Sequence, residues 1–145
     1  MNPNIKPSDR APIVGVIDPD LNTAGTVTTG WISAADFLTF MVIVLAGTLG
    51  SSGTLDAKIE EATDSSGTGA QDLTGKAITQ LTQAGSDSDK QAVINLFASD
   101  LSDGFTHFRL SMTIATASSD SAGLVLGFDA LQAPAADLSS VDEVV

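Results

Sequence analysis

The hydrophobic pattern along this chain has a period of two. In F-T-H-F-R-L-S-M-T-I-A-T, residues 105–116, Phe108, Leu110, Met112 and Ile114 alternate with His107, Arg109, Ser111 and Thr113. Such alternation marks a strand with one dry face and one wet face. Residues 54–63 repeat it, with Leu55, Ala57 and Ile59 set against Asp56, Lys58 and Glu60. Residues 36–46, D-F-L-T-F-M-V-I-V-L-A, differ. Phe37, Met41, Ile43 and Leu45 occupy one parity, and Leu38, Phe40, Val42 and Val44 the other. An apolar run on both parities predicts a strand buried on both faces. The G-T-L-G-S-S-G turn at 47–53 separates these two strands.

Further strands are predicted at residues 11–18, 26–32, 76–82, 92–98 and 122–131. In 92–98, Val93, Ile94 and Phe97 also fit a helical face with Ser88 or Asp89 as its cap. The β-branched centre and the closely flanking turns favour a strand. Segments 64–75, 84–91 and 118–121 are rich in Gly, Ser, Thr, Asp and similar residues and read as loops or turns. A turn as short as 118–121 would allow 105–116 and 122–131 to pair as a hairpin. The expected fold is all-β, an antiparallel β-sandwich or jelly-roll-like domain of about eight short strands. Its expected limits are residues 13–133. An extended N-terminal arm at 1–12 precedes it, because Pro3 and Pro7 argue against both helix and interior strand. An acidic tail at 134–145 follows, with Leu138, Val141, Val144 and Val145 able to dock on a neighbour.

Composition narrows the function. The chain has 145 residues, enough for one domain with a real core. Eighteen acidic residues against six Lys and Arg give a net charge of −12. That balance argues against nucleic acid and against an anionic membrane surface, and fits a basic protein partner. Cysteine is absent, which excludes disulfides, zinc thiolates and thiol nucleophiles. The first ten residues have no apolar core of signal-peptide type. The 37–46 run is about half the roughly 20 residues of a membrane helix. The expectation is a soluble protein made in the cytoplasm.

Candidate chemistry is sparse. His107 is the single histidine, beside Arg109 on an outward face, and no G-x-S-x-G elbow accompanies it. Asp87, Ser88 and Asp89, and Asp64, Ser65 and Ser66, are oxygen-rich loops without EF-hand spacing; Asp and Ser are also ordinary turn residues. The G-T-G at 67–69 lacks the Lys-Ser/Thr of a phosphate loop. Glu60 and Glu61 point to opposite faces of one strand and cannot work as a glycosidase pair. No cofactor, metal or enzymatic activity is expected. Trp31, the single tryptophan, is either a core anchor or an interface anchor.

The phrases A-K-I-E-E-A-T-D, G-K-A-I-T-Q-L and F-R-L-S-M-T…L-G-F-D, with W-I-S…F…V-I-V before them, span most of residues 26–135. In these phrases the chain resembles small structural proteins of tailed bacteriophages, encoded near the major capsid protein. The resemblance implies a virion protein, specifically a capsid decoration (cement) protein on the outer capsid surface. It implies the major capsid protein as partner, at threefold or quasi-threefold positions, and a homotrimer. It carries over no site motif. Neck or tail proteins, and a carbohydrate-binding sandwich for host attachment, are the alternatives. The residues expected to meet a partner are Ile5, Pro7, Ile13, Val14, Trp31, Val42 and Val44.

Overall fold

The computed structural model describes residues 4–132 and 135–145. Met1 to Pro3 of the predicted arm, and Pro134 of the predicted tail, lie outside the described residues. Ten strands make two antiparallel sheets. They are β1 (Ile13–Asn22), β2 (Gly25–Thr28), β3 (Ile32–Ser33), β4 (Phe37–Ala46), β5 (Thr54–Ala62), β6 (Gln71–Ala77), β7 (Leu81–Thr82), β8 (Gln91–Phe97), β9 (His107–Ala115) and β10 (Ser119–Ala130). The first sheet has the order β1-β10-β4-β8. The second has the order β2-β9-β5-β6, with β3 also on β9 and β7 also on β5.

Strands β2 and β3 occupy one edge of β9, so they are one strand interrupted at residues 29–31. Strands β6 and β7 likewise share one edge of β5. The described residues thus form ten strands rather than the eight expected, two of the eight sheet positions being filled by two short strands each. Their pairings nest: first with last, second with seventh, third with sixth and fourth with fifth. A long antiparallel hairpin rolled into two sheets gives this order, and the fold is a jelly roll. The expected 105–116/122–131 hairpin is therefore corrected. β9 and β10 lie in different sheets, and the short link between them crosses the sandwich.

The interruption between β2 and β3 has a local cause. Thr29 is 3% exposed, and its Oγ1 accepts the Leu110 N–H at 3.0 Å while its own N–H donates to Leu110 O. A side-chain oxygen thus stands in for a ladder carbonyl. Thr29→Val removes it and leaves a buried N–H unmatched. The expected loss is about 1–3 kcal/mol, read as a lower urea midpoint with unchanged slope.

The core lies between the sheets. Phe40, Val42, Val44, Val125, Ile94 and Leu96 face Leu55, Ile59, Phe108, Leu110, Met112 and Ile114. Phe40 meets Phe108 edge-on at 4.6 Å between centroids and Phe37 at 5.7 Å. The link from β4 to β5 closes one end of the barrel-like stack, with Leu49 buried beneath it. A Cβ on Gly50 would lie 2.4 Å from the Ser118 carbonyl oxygen, so only glycine permits this approach.

Three further expectations change. Strand β4 is dry on one face only. Phe40, Val42, Val44 and Ala46 are buried, whereas Met41 and Ile43 are partly exposed and Leu38 and Leu45 are exposed. The loop expected at 64–75 ends earlier, because Gln71 already pairs with Glu61. Residues 118–121, expected as a turn, are largely the start of β10. Their serines resemble turn residues but are buried with partners: Ser119 Oγ accepts from Gly50 N, and Ser121 Oγ from Asn22 Nδ2 at 2.8 Å.

The N-terminal segment is not wholly extended. Pro7–Arg10 form one helical turn with proline in its first turn, where its missing donor costs nothing. Both terminal segments meet at the start of β1. Ile13 N donates to Asp137 Oδ1 at 2.7 Å, Leu138 N donates to Ile13 O, and Gly127 N donates to Pro12 O.

Candidate functional site

The outward faces of the two sheets have opposite chemistry. On the second sheet, alternation in β5 and β9 puts charged and polar residues outside. Arg109 Nε donates to Glu60 Oε2 at 2.7 Å, Lys58 lies 3.6 Å from Glu60 Oε1, and Lys58 donates to Asp72 Oδ1 at 2.6 Å. The hydrogen bond to Asp72 is the main influence holding the Lys58 ammonium above its ordinary value. Ser111, expected outward, is buried between its register partners Thr28 and Lys58.

Trp31 belongs to this face. The Arg109 guanidinium lies 4.5 Å over its ring, a cation–π stack. Gly67 packs so close to the indole that a Cβ there would lie 2.5 Å from Nε1. The ring is held between an arginine and a glycine loop. It is not an open platform of the kind a sugar stacks on.

Glu61 points the other way from Glu60 and is 1% exposed. Its carboxylate accepts from Gln71 Nε2 at 2.7 Å, from Ser102 N at 2.8 Å and from the Ser102 hydroxyl. Burial pushes its pKa up, but these hydrogen bonds outweigh burial and hold it below the usual carboxylate value. The group ties the loop after β8 to the inner edge of β5. Sequence reasoning missed this role. The available signal was a glutamate on the apolar parity of Leu55, Ala57 and Ile59.

The other candidates are occupied by local structure. Asp64 Oδ1 accepts from Ser66 N and Thr68 N, and these Thr68 contacts hold its pKa down. Asp87 Oδ2 accepts from Thr82 N at 2.9 Å. Both are the local side-chain turns expected of Asp in loops. His107 Nδ1 lies 2.8 Å from Thr106 Oγ1, whose own proton goes to Thr63 O at 2.7 Å. The hydroxyl proton is committed, so the imidazole Nδ1 carries the proton between them. Among the described residues, no three His, Asp or Glu side chains come together as a metal site would require.

The outward face of the first sheet is apolar. Register places its residues in rows across β1, β10, β4 and β8: Val16, Leu124, Ile43 and Val93 form one, and Ile13, Leu126, Met41 and Asn95 the next. Phe128, Thr39 and Phe97 follow, and Ala122, Leu45 and Gln91 lie on the other side. None of these side chains is charged. Val93 is 54% exposed, Phe97 53% and Leu45 39%. Lone exposed apolar residues are ordinary, but here they adjoin one another across neighbouring strands.

The residues expected to meet a partner are scattered by the fold. Val42 and Val44 are completely buried inside the subunit, so neither reaches a partner; the other parity of the same strand faces out. Ile13 begins β1 at the edge of the apolar face, and Val14 packs against the core. Trp31 sits on the charged face. Ile5 is exposed and Pro7 opens the helical turn.

No protein-family model matches the chain, and no curated protein matches it. Two solved structures of infectious bursal disease virus align with it. The Gt strain gives a TM-score of 0.41 and the Gx strain 0.40, each at 14% identity over 87% of this chain. The chain spans about a third of the length of those proteins, 35% and 33% respectively. The jelly-roll assignment rests on the strand pairing described above.

Proposed function

We propose that this protein is a non-enzymatic capsid decoration protein of a tailed bacteriophage, bound to the outer surface of the head and bridging major capsid subunits. The observation that carries this reading is the sorting of the surface. One sheet presents a charged, internally paired face suited to water, and the other a largely apolar face suited to contact, with Asp129 held by Thr39 near its end. The side chains that looked chemical in the sequence serve turns, ladders and a buried tether. The phage-like phrases across residues 26–135 supply the kind of assembly. The segment at 4–12, with Ile5 exposed, and the tail beside it offer the reach that bridging requires.

Purified protein added to expanded capsids lacking it is expected to bind saturably and raise the temperature at which they rupture. Deleting residues 1–5 is expected to weaken this binding while leaving the domain folded, since Lys6, whose carbonyl accepts from Asp9 N and Arg10 N of the helical turn, and β1 remain. Saturable binding at the neck or tail alone would contradict the decoration reading, as would no binding.

A further inference from the structure

Two open sheets leave four strand edges, and three of them are broken in this chain. β1 carries Asp18, Pro19 and Asp20, register shifts after Ile13 and Ile17, and Asp137 on its Ile13 N–H. The β2–β3 edge is interrupted at residues 29–31. β6 has a register shift against β5, Gly75 at φ 79°, and the charged residues Asp72 and Lys76. β8 has none of these devices. Gln91–Phe97 contains no charge, proline or glycine, and it pairs with β4 in unbroken register from Gln91–Leu45 to Phe97–Thr39. An edge of this kind is a template for another strand. We propose that the Lys76–Asp100 ion pair is a guard that occupies this edge and keeps a second copy of the chain from adding to it.

What the β8 backbone groups bond fixes where they point. Lys90 O accepts from Ala46 N at the end of β4, so residues 90, 92, 94 and 96 direct their N–H and C=O groups toward β4. Residues 91, 93, 95 and 97 direct theirs away from it. Two of these outward groups are taken. Lys76 Nζ, reaching across from β6 in the other sheet, donates to Asn95 O at 2.8 Å. Phe97 N donates to Asp100 Oδ2, also at 2.8 Å. Lys76 Nζ and Asp100 Oδ2 lie 2.7 Å apart, and each side chain is less than a third exposed. The ammonium acts toward Asn95 as the N–H of a neighbouring strand would. The carboxylate acts toward Phe97 as its C=O would.

The strand kept out is a second β8, because this edge is complementary to itself. Two copies meet antiparallel about a twofold axis, and their backbone groups match whatever the side chains are. Within β8, any such ladder that joins more than residues 91 and 93 of each copy needs Asn95 or Phe97. The guard sits on both, so it stops the symmetric pair at each of its two ends. An incoming strand must displace a buried-side ammonium and carboxylate, and the hydrogen bonds it makes there only replace those already present. Nothing in the guard depends on the capsid role. Its effect is to leave the free subunit with no strand edge open to its own copies.

Sedimentation of the double variant Lys76→Ala with Asp100→Ala is expected to give a mass that rises toward twice the wild-type value between about 1 and 100 µM, while wild type keeps one mass. Circular dichroism checks that the variant is folded. Adding Val93→Pro should restore the wild-type mass. The Val93 N–H points away from β4, so proline there removes no bond of the existing sheet but interrupts an added strand. Should the double variant not fold, Lys76→Ala alone decides, since it frees Asn95 O and leaves Asp100 on Phe97; it is expected to associate too, more weakly. A folded guard variant with the wild-type mass at every concentration would overturn the proposal, as would association that survives Val93→Pro. A wild-type mass that itself falls on Val93→Pro would also overturn it, because the edge would then already be in use.

Discussion

Val44→Asp is expected to abolish folding, while Ile43→Asp, one residue away, leaves the domain folded. Val44 is completely buried between the sheets, flanked in register by Gly123 of β10 and Ala92 of β8. An aspartate there must lose its hydration with no cation or donor nearby, or take up a proton and bury a neutral acid. Either costs about 5 kcal/mol or more. A domain of this size has roughly 5–15 kcal/mol in total. Ile43 has the opposite parity and meets solvent on the subunit's outer face. Its substitution changes an outer-face position without desolvating a charge. Far-ultraviolet circular dichroism and urea titration of the two variants separate these outcomes. Equal destabilisation would mean that β4 is dry on both faces within one subunit, as its composition alone suggests.

The second large effect is at Glu61. Glu61→Ala removes the acceptor of three hydrogen bonds and leaves the Ser102 N–H and the Gln71 amide without their partner. The expected loss is on the order of 3 kcal/mol, about 10 °C in melting temperature. The effect depends on pH with a definite sign. The folded pKa of Glu61 lies below its ordinary value of 4.5. Its ionised form is therefore favoured by folding, and that stability is fully present above the unfolded pKa. It is lost as pH falls through the folded pKa. The stability gap between wild type and Glu61→Gln should be constant near neutrality and shrink below about pH 4.5. A gap that widens on acidification would assign the opposite shift.

Much of the fold was legible because alternation is a local signal. Phe108, Leu110, Met112 and Ile114 lie inside as their spacing predicts, and the β-branched centre of 92–98 is a strand rather than a helix. What was not legible depends on distant partners. Residues 36–46 have apolar side chains on both parities, and their sequence does not distinguish a face covered by the same chain from one left for another. Ser119 and Ser121 read as turn residues because their acceptor roles are filled by Gly50 and Asn22, far away in sequence. Adjacency suggested a β9–β10 hairpin, but jelly-roll pairing matches the last strand with the first and sends the short β9–β10 link across the sandwich.

The candidate site divides the same way. The Asp64 and Asp87 loops were legible as turns because Asp bonds to nearby backbone N–H groups. Glu61 carried a weak signal in its parity. The Arg109–Trp31 stack carried none, since it joins a residue after β2 to the middle of β9. The apolar face was visible only as an excess of hydrophobic residues in β4. Its extent emerged when register placed Leu124, Leu126 and Phe128 beside Met41 and Ile43.

Quantitative mass spectrometry of purified virions, with this chain counted against the major capsid protein, tests the account at its centre. A decoration protein is expected in fixed, high proportion to the capsid subunit, and lost together with thermal resistance of the head when its gene is removed. Its absence from intact particles, or a trace amount confined to the tail, would contradict the account.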